Sequence, residues 1–171
     1  ASQLQKKYAI EPLQFWWSAT HTHSAPEVGP PGLPEVFMSN RYKHDIDIEY
    51  TKFVEKMLLD GVAEALERLE PVRIGVGWGF SQANINRRTW GLDKKSAGGM
   101  NPYGAVDRKI GLLKFEKVDG SVLALLANYP IHGTVLGPLN LKISSDVAGS
   151  VCNYVESKIG APVLFFNGAA G

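Results

Sequence analysis

Residues 110–128 read IGLLKFEKVDGSVLALLAN, and this stretch predicts the centre of the fold. Two β-prone runs, residues 110–118 and 121–128, flank Asp119-Gly120, a dipeptide that is a strong short-range signal for a hairpin turn. In the second run, residues 122–127 are apolar at every position. A strand that is apolar on both faces is typical of the buried middle of a sheet. The stretch therefore predicts an antiparallel hairpin whose second strand is central and buried.

Helices and strands alternate on both sides of this hairpin. Apolar residues recur every three or four positions over residues 47–69, which predicts a helix that Asp45 or Asp47 caps and Pro71 ends. Two more helices are predicted at 2–9 and 146–158, the second with Gly160 as its C-cap. Strands are predicted at 13–17, 72–78 and 162–166, and a long loop at 82–106. Such alternation indicates an α/β fold, which we expect to be a mixed, partly parallel sheet flanked by helices.

The composition excludes several classes of protein. The chain has 171 residues, of which 44% are hydrophobic and 20% charged, as in an ordinary globular protein. Its net charge of +1 comes without a basic run, which argues against nucleic acid as a partner. The longest apolar runs are only as long as a strand, so no transmembrane segment is expected. Cys152 is the only cysteine, which rules out an internal disulfide, and we expect it to be a small buried hydrophobe.

Three polar segments each follow directly on a predicted strand. They are residues 18–24 (SATHTHS), 128–134 (NYPIHGT) and 167–171 (NGAAG). If the strands run parallel, all three segments emerge at one edge of the sheet, where ligands bind in open α/β folds. Residues that are far apart in the sequence are therefore expected to form one site.

Histidines are the most informative residues in these segments. His21 and His23 point to the same side of an extended backbone, and His132 lies in the second segment. Neutral imidazole is a common zinc ligand, and catalytic zinc usually has three protein ligands and a water. A His-x-His pair alone is a weak signal, but its position after a strand makes a zinc site a reasonable hypothesis. The fourth histidine, His44, is expected to be solvated.

Several other residues have both a catalytic and an ordinary interpretation. Arg87 could stabilise an oxyanion, or it could form an exposed surface pair with Arg88. Asp146, like Ser145, could simply cap a helix, or it could steady a metal-bound histidine. Asn167 and Gly168 are further candidates, because small residues allow the backbone to approach a ligand closely. The tryptophans Trp16, Trp17 and Trp90 could line an apolar pocket. Either Trp16 or Trp17 is nevertheless expected to lie in the core.

Five motifs together resemble the catalytic domain of the neutral/alkaline, non-lysosomal ceramidases. They are residues 18–24 (SATHTHS), 84–87 (NINR), 128–134 (NYPIHGT), 144–146 (SSD) and 166–171 (FNGAAG), in the order in which the family has them. The resemblance implies that His21 and His132 are zinc ligands. It also implies that His23 contacts the substrate or the reacting water, and that Arg87 lies near the scissile amide.

The resemblance has further implications for the extent of the chain. The family completes its zinc site with a glutamate and a tyrosine much further along, and it has an aspartate and a serine directly after the segment that matches residues 167–171. We therefore expect residues 1–171 to be part of a single ceramidase-like catalytic domain, truncated at both ends and nearly inactive alone. The family resemblance also implies secretion or a periplasmic location.

These expectations predict a zinc-dependent hydrolase that cleaves the N-acyl amide bond of ceramide or a related lipid amide. The family usually has glycine where this chain has Ala25, and the loop after Arg87 differs too, so the acyl substrate stays open. One alternative is a hydrolase of the same fold acting on another amide or ester. The other is a metal-free module that binds lipid or carbohydrate.

Overall fold

The computed structural model describes residues 2–29, 47–90, 96–137 and 139–170. The chain divides into two compact units, one formed by residues 1–17 and 25–70 and the other by residues 18–24 and 71–171. His44, Asp45 and Gly171 lie outside the described residues. That both units belong to one catalytic domain stays a prediction.

The first unit is helical. Helix α1 spans Ser2–Tyr8 and helix α2 spans Ile48–Glu67, which confirms both predicted helices. Asp47 caps α2, because its side chain accepts a hydrogen bond of 2.8 Å from the backbone N–H of Tyr50. The helix ends before Pro71, as its sequence predicted.

The strand predicted at residues 13–17 is wrong. Pro12–Gln14 form one turn of 3₁₀ helix, in which the side chain of Gln14 accepts a 2.8 Å hydrogen bond from the backbone N–H of Glu11. This reciprocal cap stabilises a turn where the apolar run alone indicated a strand. Trp16 and Trp17 are each 77% exposed, so the expectation that one of them belongs to the core is also wrong.

The second unit is built on a four-stranded mixed sheet. Its strands are β1 (Val72–Phe80), β4 (Lys109–Lys117), β5 (Val122–Tyr129) and β6 (Val163–Asn167), in the order β1-β4-β5-β6. The first three are antiparallel neighbours, whereas β6 runs parallel to β5. The predicted hairpin and the central place of its second strand are confirmed, and so is the α/β class with a partly parallel sheet.

A second, two-stranded sheet occupies the predicted long loop. Strands β2 (Asn86–Trp90) and β3 (Ser96–Asn101) pair antiparallel, so the prediction of a long loop at 82–106 is wrong for these two stretches. Side chains support the hairpin. The Asn86 amide donates to the carbonyl of Ala105 at 2.7 Å, and the Asn101 amide donates to the carbonyl of Arg88 at 2.8 Å. Hydrogen bonds from polar side chains stabilise these strands. The strands lack the alternating apolar residues from which a strand is predicted in a sequence.

Helix α3 (Asp146–Ile159) packs against one face of the four-stranded sheet. The core there consists of Tyr129, Ala148 and Phe165, with half-buried Ile110, Ile131, Val151 and Cys152 around it. Gly160 ends the helix in the left-handed conformation, at φ 68°, as predicted. On β5, Ala127 and Tyr129 are buried, whereas residues 122–126 are only half-buried. The strand is therefore less buried than its sequence predicted.

The opposite face of this sheet is apolar and exposed. Ile74, Val76, Trp78 and Phe80 alternate along β1 with exposures of 62–70%. Along the described parts of the chain, no helix combines the length and the apolar character that a membrane crossing requires.

Candidate metal centre

Three histidines from two segments that are distant in sequence converge in the second unit. The Nε2 atom of His23 lies 3.4 Å from Nε2 of His21 and 3.0 Å from Nε2 of His132. One ring nitrogen from each of the three residues lies within 4.8 Å of the others. The sequence grouped these residues correctly.

A close backbone contact brings the histidines together. Thr22 and Gly133 form a one-residue parallel β-bridge, and the N–H of His23 donates to the carbonyl of Gly133 at 3.0 Å. A Cβ atom on Gly133 would lie 2.5 Å from the carbonyl oxygen of His21. His21 has φ 56°, so the pair does not share the regular extended backbone that the sequence suggested. The histidines converge through this bridge and the turn at His21.

The segment that precedes α3 forms hydrogen bonds with the segment that carries His21 and His23. The Thr22 hydroxyl donates to the carbonyl of Ser144 at 2.8 Å, and the N–H of Ser144 donates to the carbonyl of Ser24 at 2.8 Å. The Asn140 amide donates to the hydroxyl of the buried Ser24 at 2.9 Å. These bonds fix the backbone around His21 and His23.

Asp146 is buried and holds the loop that follows His132. Its carboxylate accepts hydrogen bonds from the backbone N–H groups of Val135 (3.3 Å), Leu136 (3.1 Å) and Val147 (2.6 Å). Ser145 occupies the N-cap position of α3, but its side chain makes no capping bond. The bonds described for the Asp146 carboxylate go to the backbone, so it orders the histidine segment through its loop.

The surroundings of His21 and His23 favour neutral rings. Burial lowers the pKa of His21 below its ordinary value of 6.5, and the neighbouring rings of His132 and His23 lower it further. Burial and then His132 also lower the pKa of His23, while the negative charge of Asp146 opposes them. Neutral imidazoles carry the lone pairs that metal coordination requires.

The remaining predicted segment lies behind His132. Nδ1 of His132 is 3.4 Å from the carbonyl oxygen of Ala170, which can only accept, so this contact places a proton on Nδ1 and the lone pair on Nε2. The Asn167 side chain accepts from the N–H of Ile131 at 3.3 Å. A Cβ on Gly168 would lie 3.0 Å from Pro130. The backbone at Gly168 therefore lies close to the segment that carries His132, whereas the sequence predicted a close approach to a ligand.

A cavity of about 580 Å³ opens beside His132. Arg87 lines it, and its Nε donates to the carbonyl of Gly99 at 2.7 Å, which orients the guanidinium. Trp90, which was expected to line a pocket, does not line this one. The other residues of the wall are Ala83, Asn84, Ile85, Asn86, Arg88, Gly98, Ala105, Val106, Asp107, Pro130, Ile131, Thr134, Val135, Ala169 and Ala170.

Sequence reasoning missed Asn84 and Tyr129 as individual residues. Both are buried, and the Tyr129 hydroxyl donates to the side-chain oxygen of Asn84 at 2.8 Å. Each lies inside a recognised motif, but nothing in a single sequence indicates that an asparagine is buried. Their partners become visible only when the two loops are seen together.

The geometry of the three histidines fits a zinc ion. Two nitrogens bound at about 2.0–2.1 Å to one tetrahedral zinc lie about 3.3 Å apart, a spacing that falls within the 4.8 Å enclosing one ring nitrogen of each histidine. The carbonyl behind His132 and the lowered pKa values of His21 and His23 both favour lone pairs directed at a cation.

The sequence also matches known proteins. The family described as neutral/alkaline non-lysosomal ceramidase, N-terminal, matches residues 2–164. A neutral ceramidase of Pseudomonas aeruginosa is 29% identical over 150 residues, which cover 83% of this chain and 21% of that protein. The chain thus spans about a fifth of the length of this curated relative.

Solved structures share the fold. A structure described as ceramidase complexed with C2 has a TM-score of 0.72 at 22% identity, and it matches 99% of this chain and 27% of its own. The crystal structure of the Pseudomonas aeruginosa neutral ceramidase gives a TM-score of 0.68 at 23% identity, with the same coverage. Since the family match extends over nearly the whole sequence, the chain belongs to the neutral/alkaline, non-lysosomal ceramidase family.

Proposed function

We propose that this chain forms part of a zinc-dependent hydrolase that cleaves the N-acyl amide bond of ceramide or a related lipid amide. The observation that carries the proposal is the convergence of three histidine nitrogens, one of which belongs to His132, a residue that lines the same cavity as Arg87. Membership of the ceramidase family supports an amide as the bond that is broken. The curated relative described above is named neutral ceramidase.

In this proposal His21 and His132 hold the zinc. Zinc held by these residues would supply a hydroxide nucleophile at neutral pH, because coordination would lower the pKa of water to about 7. The remaining ligands would come from the longer protein, of which the relatives' lengths suggest this chain is about a fifth to a quarter. The isolated 171 residues are then expected to turn over little substrate.

His23 is proposed to move the proton. Its Nε2 lies within 3.4 Å of the corresponding atoms of both His21 and His132, so it adjoins the position where the reacting water would be held. Because burial keeps its pKa below 6.5, the ring is neutral at pH 7 and can accept a proton.

Arg87 is proposed to stabilise the oxyanion. The bond from Nε to Gly99 fixes one edge of the guanidinium, whose other donors are suited to a carbonyl oxygen that gains negative charge. Asp146, Asn167 and Gly168 are proposed to support the site by holding the chain on either side of His132.

Metal analysis of the full-length protein tests the zinc site. We expect about one zinc per chain by elemental analysis, and its loss in the double variant His21→Ala, His132→Ala. His44→Ala, which removes the fourth histidine, is the matched control and should keep the metal. A full-length protein that contains no zinc would refute the proposed mechanism.

Substrate assays test the reaction. The full-length protein should hydrolyse ceramides faster than O-acyl esters in a panel of both. Arg87→Ala should lower kcat by about 10²–10³-fold, the usual cost of removing an oxyanion donor, whereas Arg73→Ala, at an exposed position of β1, should not. Normal turnover in Arg87→Ala would remove that residue from the mechanism. The proposed secretion or periplasmic location is tested by fractionating cells that express the full-length protein.

A further inference from the structure

Asn84 uses its whole side-chain amide inside the protein. Its Nδ2 donates to the carbonyls of Asp107 (2.5 Å) and Pro130 (2.8 Å), and its Oδ1 accepts from the Tyr129 hydroxyl (2.8 Å). Carbonyl oxygens only accept hydrogen bonds, so this orientation of the amide is the one that satisfies all three contacts. Asn84 therefore ties three separate stretches of chain together.

Tyr129 completes the connection. Its hydroxyl accepts from the backbone N–H of Asn84 at 3.1 Å and lies 3.3 Å from the carbonyl oxygen of Ser81. The side chains of Tyr129 and Asn84 are 6% and 7% exposed. A buried network whose members are all satisfied is rigid, because any rearrangement leaves a polar group without a partner.

The network joins the two chain segments that carry Arg87 and His132 of the proposed site. Asn84 precedes Arg87 by three residues, and Tyr129 precedes His132 by three residues. Arg87 and His132 both line the cavity, and Arg87 is exposed and has a described side-chain bond only to Gly99. The position of the guanidinium relative to the histidines therefore depends on how the start of β2 is attached to the end of β5.

We propose that Asn84, held by Tyr129, is a positioning residue that fixes Arg87 relative to His132 for the reaction. This inference rests on the proposed function, and it adds a residue that touches neither metal nor substrate. A displacement of about 1 Å of a catalytic group costs on the order of 10²-fold in rate, so the loss of this attachment should affect turnover strongly.

Kinetics of the full-length protein test the proposal. Asn84→Ala should lower kcat toward ceramide by on the order of 10²-fold, with KM changed less and the zinc content unchanged. Tyr129→Phe, a milder variant that keeps the ring, should lower kcat in the same direction and by less. Asn128→Ala is the matched control, since Asn128 is exposed on the same strand and its amide donates to the carbonyl of Phe166 at 3.1 Å.

Combining variants distinguishes positioning from general damage. If Asn84 acts through Arg87, Asn84→Ala should cost little further activity in a protein that already carries Arg87→Ala. Multiplicative losses in the double variant, or loss of zinc from Asn84→Ala alone, would overturn the proposal.

Hydrogen exchange gives a readout that does not need activity. Amides in residues 81–88 should exchange faster in Asn84→Ala and in Tyr129→Phe, while residues 163–167 of β6 keep their protection. If exchange in residues 81–88 is unchanged in both variants, Asn84 and Tyr129 do not attach this segment to the end of β5. That result would refute the proposal whether or not the enzyme is active. A full-length protein that shows the faster exchange but neither binds zinc nor cleaves ceramide would refute the proposed function alone.

Discussion

Gly133 shows how one residue sets the geometry of the histidines. The backbone of His21 passes where a side chain on Gly133 would begin, because a Cβ there would lie 2.5 Å from the carbonyl oxygen of His21 and 2.9 Å from Cα of Thr22. Both neighbours are backbone atoms, which cannot rotate away as the end of a side chain can. Any side chain at this position must push the two histidine segments apart.

We therefore expect Gly133→Ala to abolish zinc binding by the full-length protein while most of the fold persists. The separation of the segments would move the Nε2 atoms beyond the spacing that one ion can bridge. Elemental analysis and circular dichroism measure the two effects. Gly61→Ala, at an exposed helical position with no atom within 4 Å of the added Cβ, should retain zinc. Full zinc content in Gly133→Ala would show that the bridge is not needed.

Asp146 combines a buried charge with an unusual backbone. It has φ 51°, a conformation that asparagine and aspartate adopt more readily than other residues apart from glycine. Asp146→Ala should lower the free energy of unfolding by about 2 kcal/mol, because three backbone N–H groups lose a charged acceptor. Asp146→Asn keeps an acceptor oxygen and should lose less. Thermal unfolding of both full-length variants measures the difference, and equal losses would contradict this account.

For single residues, the sequence predicted a place in the site where the type of residue indicates its chemistry. His21, His23 and His132 could be grouped because histidine binds metals and because all three follow predicted strands. The roles of Thr22, Ser144 and Asn84 could not be predicted, since they depend on contacts between segments that the chain brings together only when folded.

Among the elements, those with strong local signals were predictable. The β4–β5 hairpin, α2 and α3 have clear turn, cap and periodicity signals, and the structure confirms them. The strand predicted at residues 13–17 failed because a proline and a capping glutamine produce a 3₁₀ turn. The β2–β3 hairpin was missed because polar side chains and backbone pairing hold it, without an alternating apolar face.

The turn between β4 and β5 gives a test at the scale of one element. Gly120 has φ 87°, and no atom lies within 4 Å of a Cβ built there, so a substitution strains only the backbone. Gly120→Ala should destabilise the full-length protein by about 1–2 kcal/mol, and Gly120→Asn by less, because asparagine tolerates a positive φ. Denaturant titration measures both. An alanine variant as stable as the parent would show that the turn relaxes.

At the scale of the whole molecule, the exposed face of the four-stranded sheet is the dominant feature. A row of large apolar side chains along β1 faces away from α3, and Leu164 on β6 is 52% exposed. Contiguous apolar surface of this kind promotes association. We expect the 171-residue polypeptide expressed alone to self-associate in light-scattering measurements, and Val76→Lys to reduce this association. A monodisperse monomer that does not bind a hydrophobic dye would contradict the expectation.

The bridge between Thr22 and Gly133 also determines when the metal centre can assemble. His23 and His132 are 109 residues apart, so their contact closes a long loop whose entropy must be overcome, whereas the β4–β5 hairpin and α3 form from neighbouring residues. The three histidines should meet only after the sheet and α3 have formed. Zinc would then bind to a chain that is already nearly folded. When the protein refolds in the presence of a chelator, we expect the sheet to form. The contact between the segments of His23 and His132 would then be stabilised by the Thr22–Gly133 bridge without help from a metal.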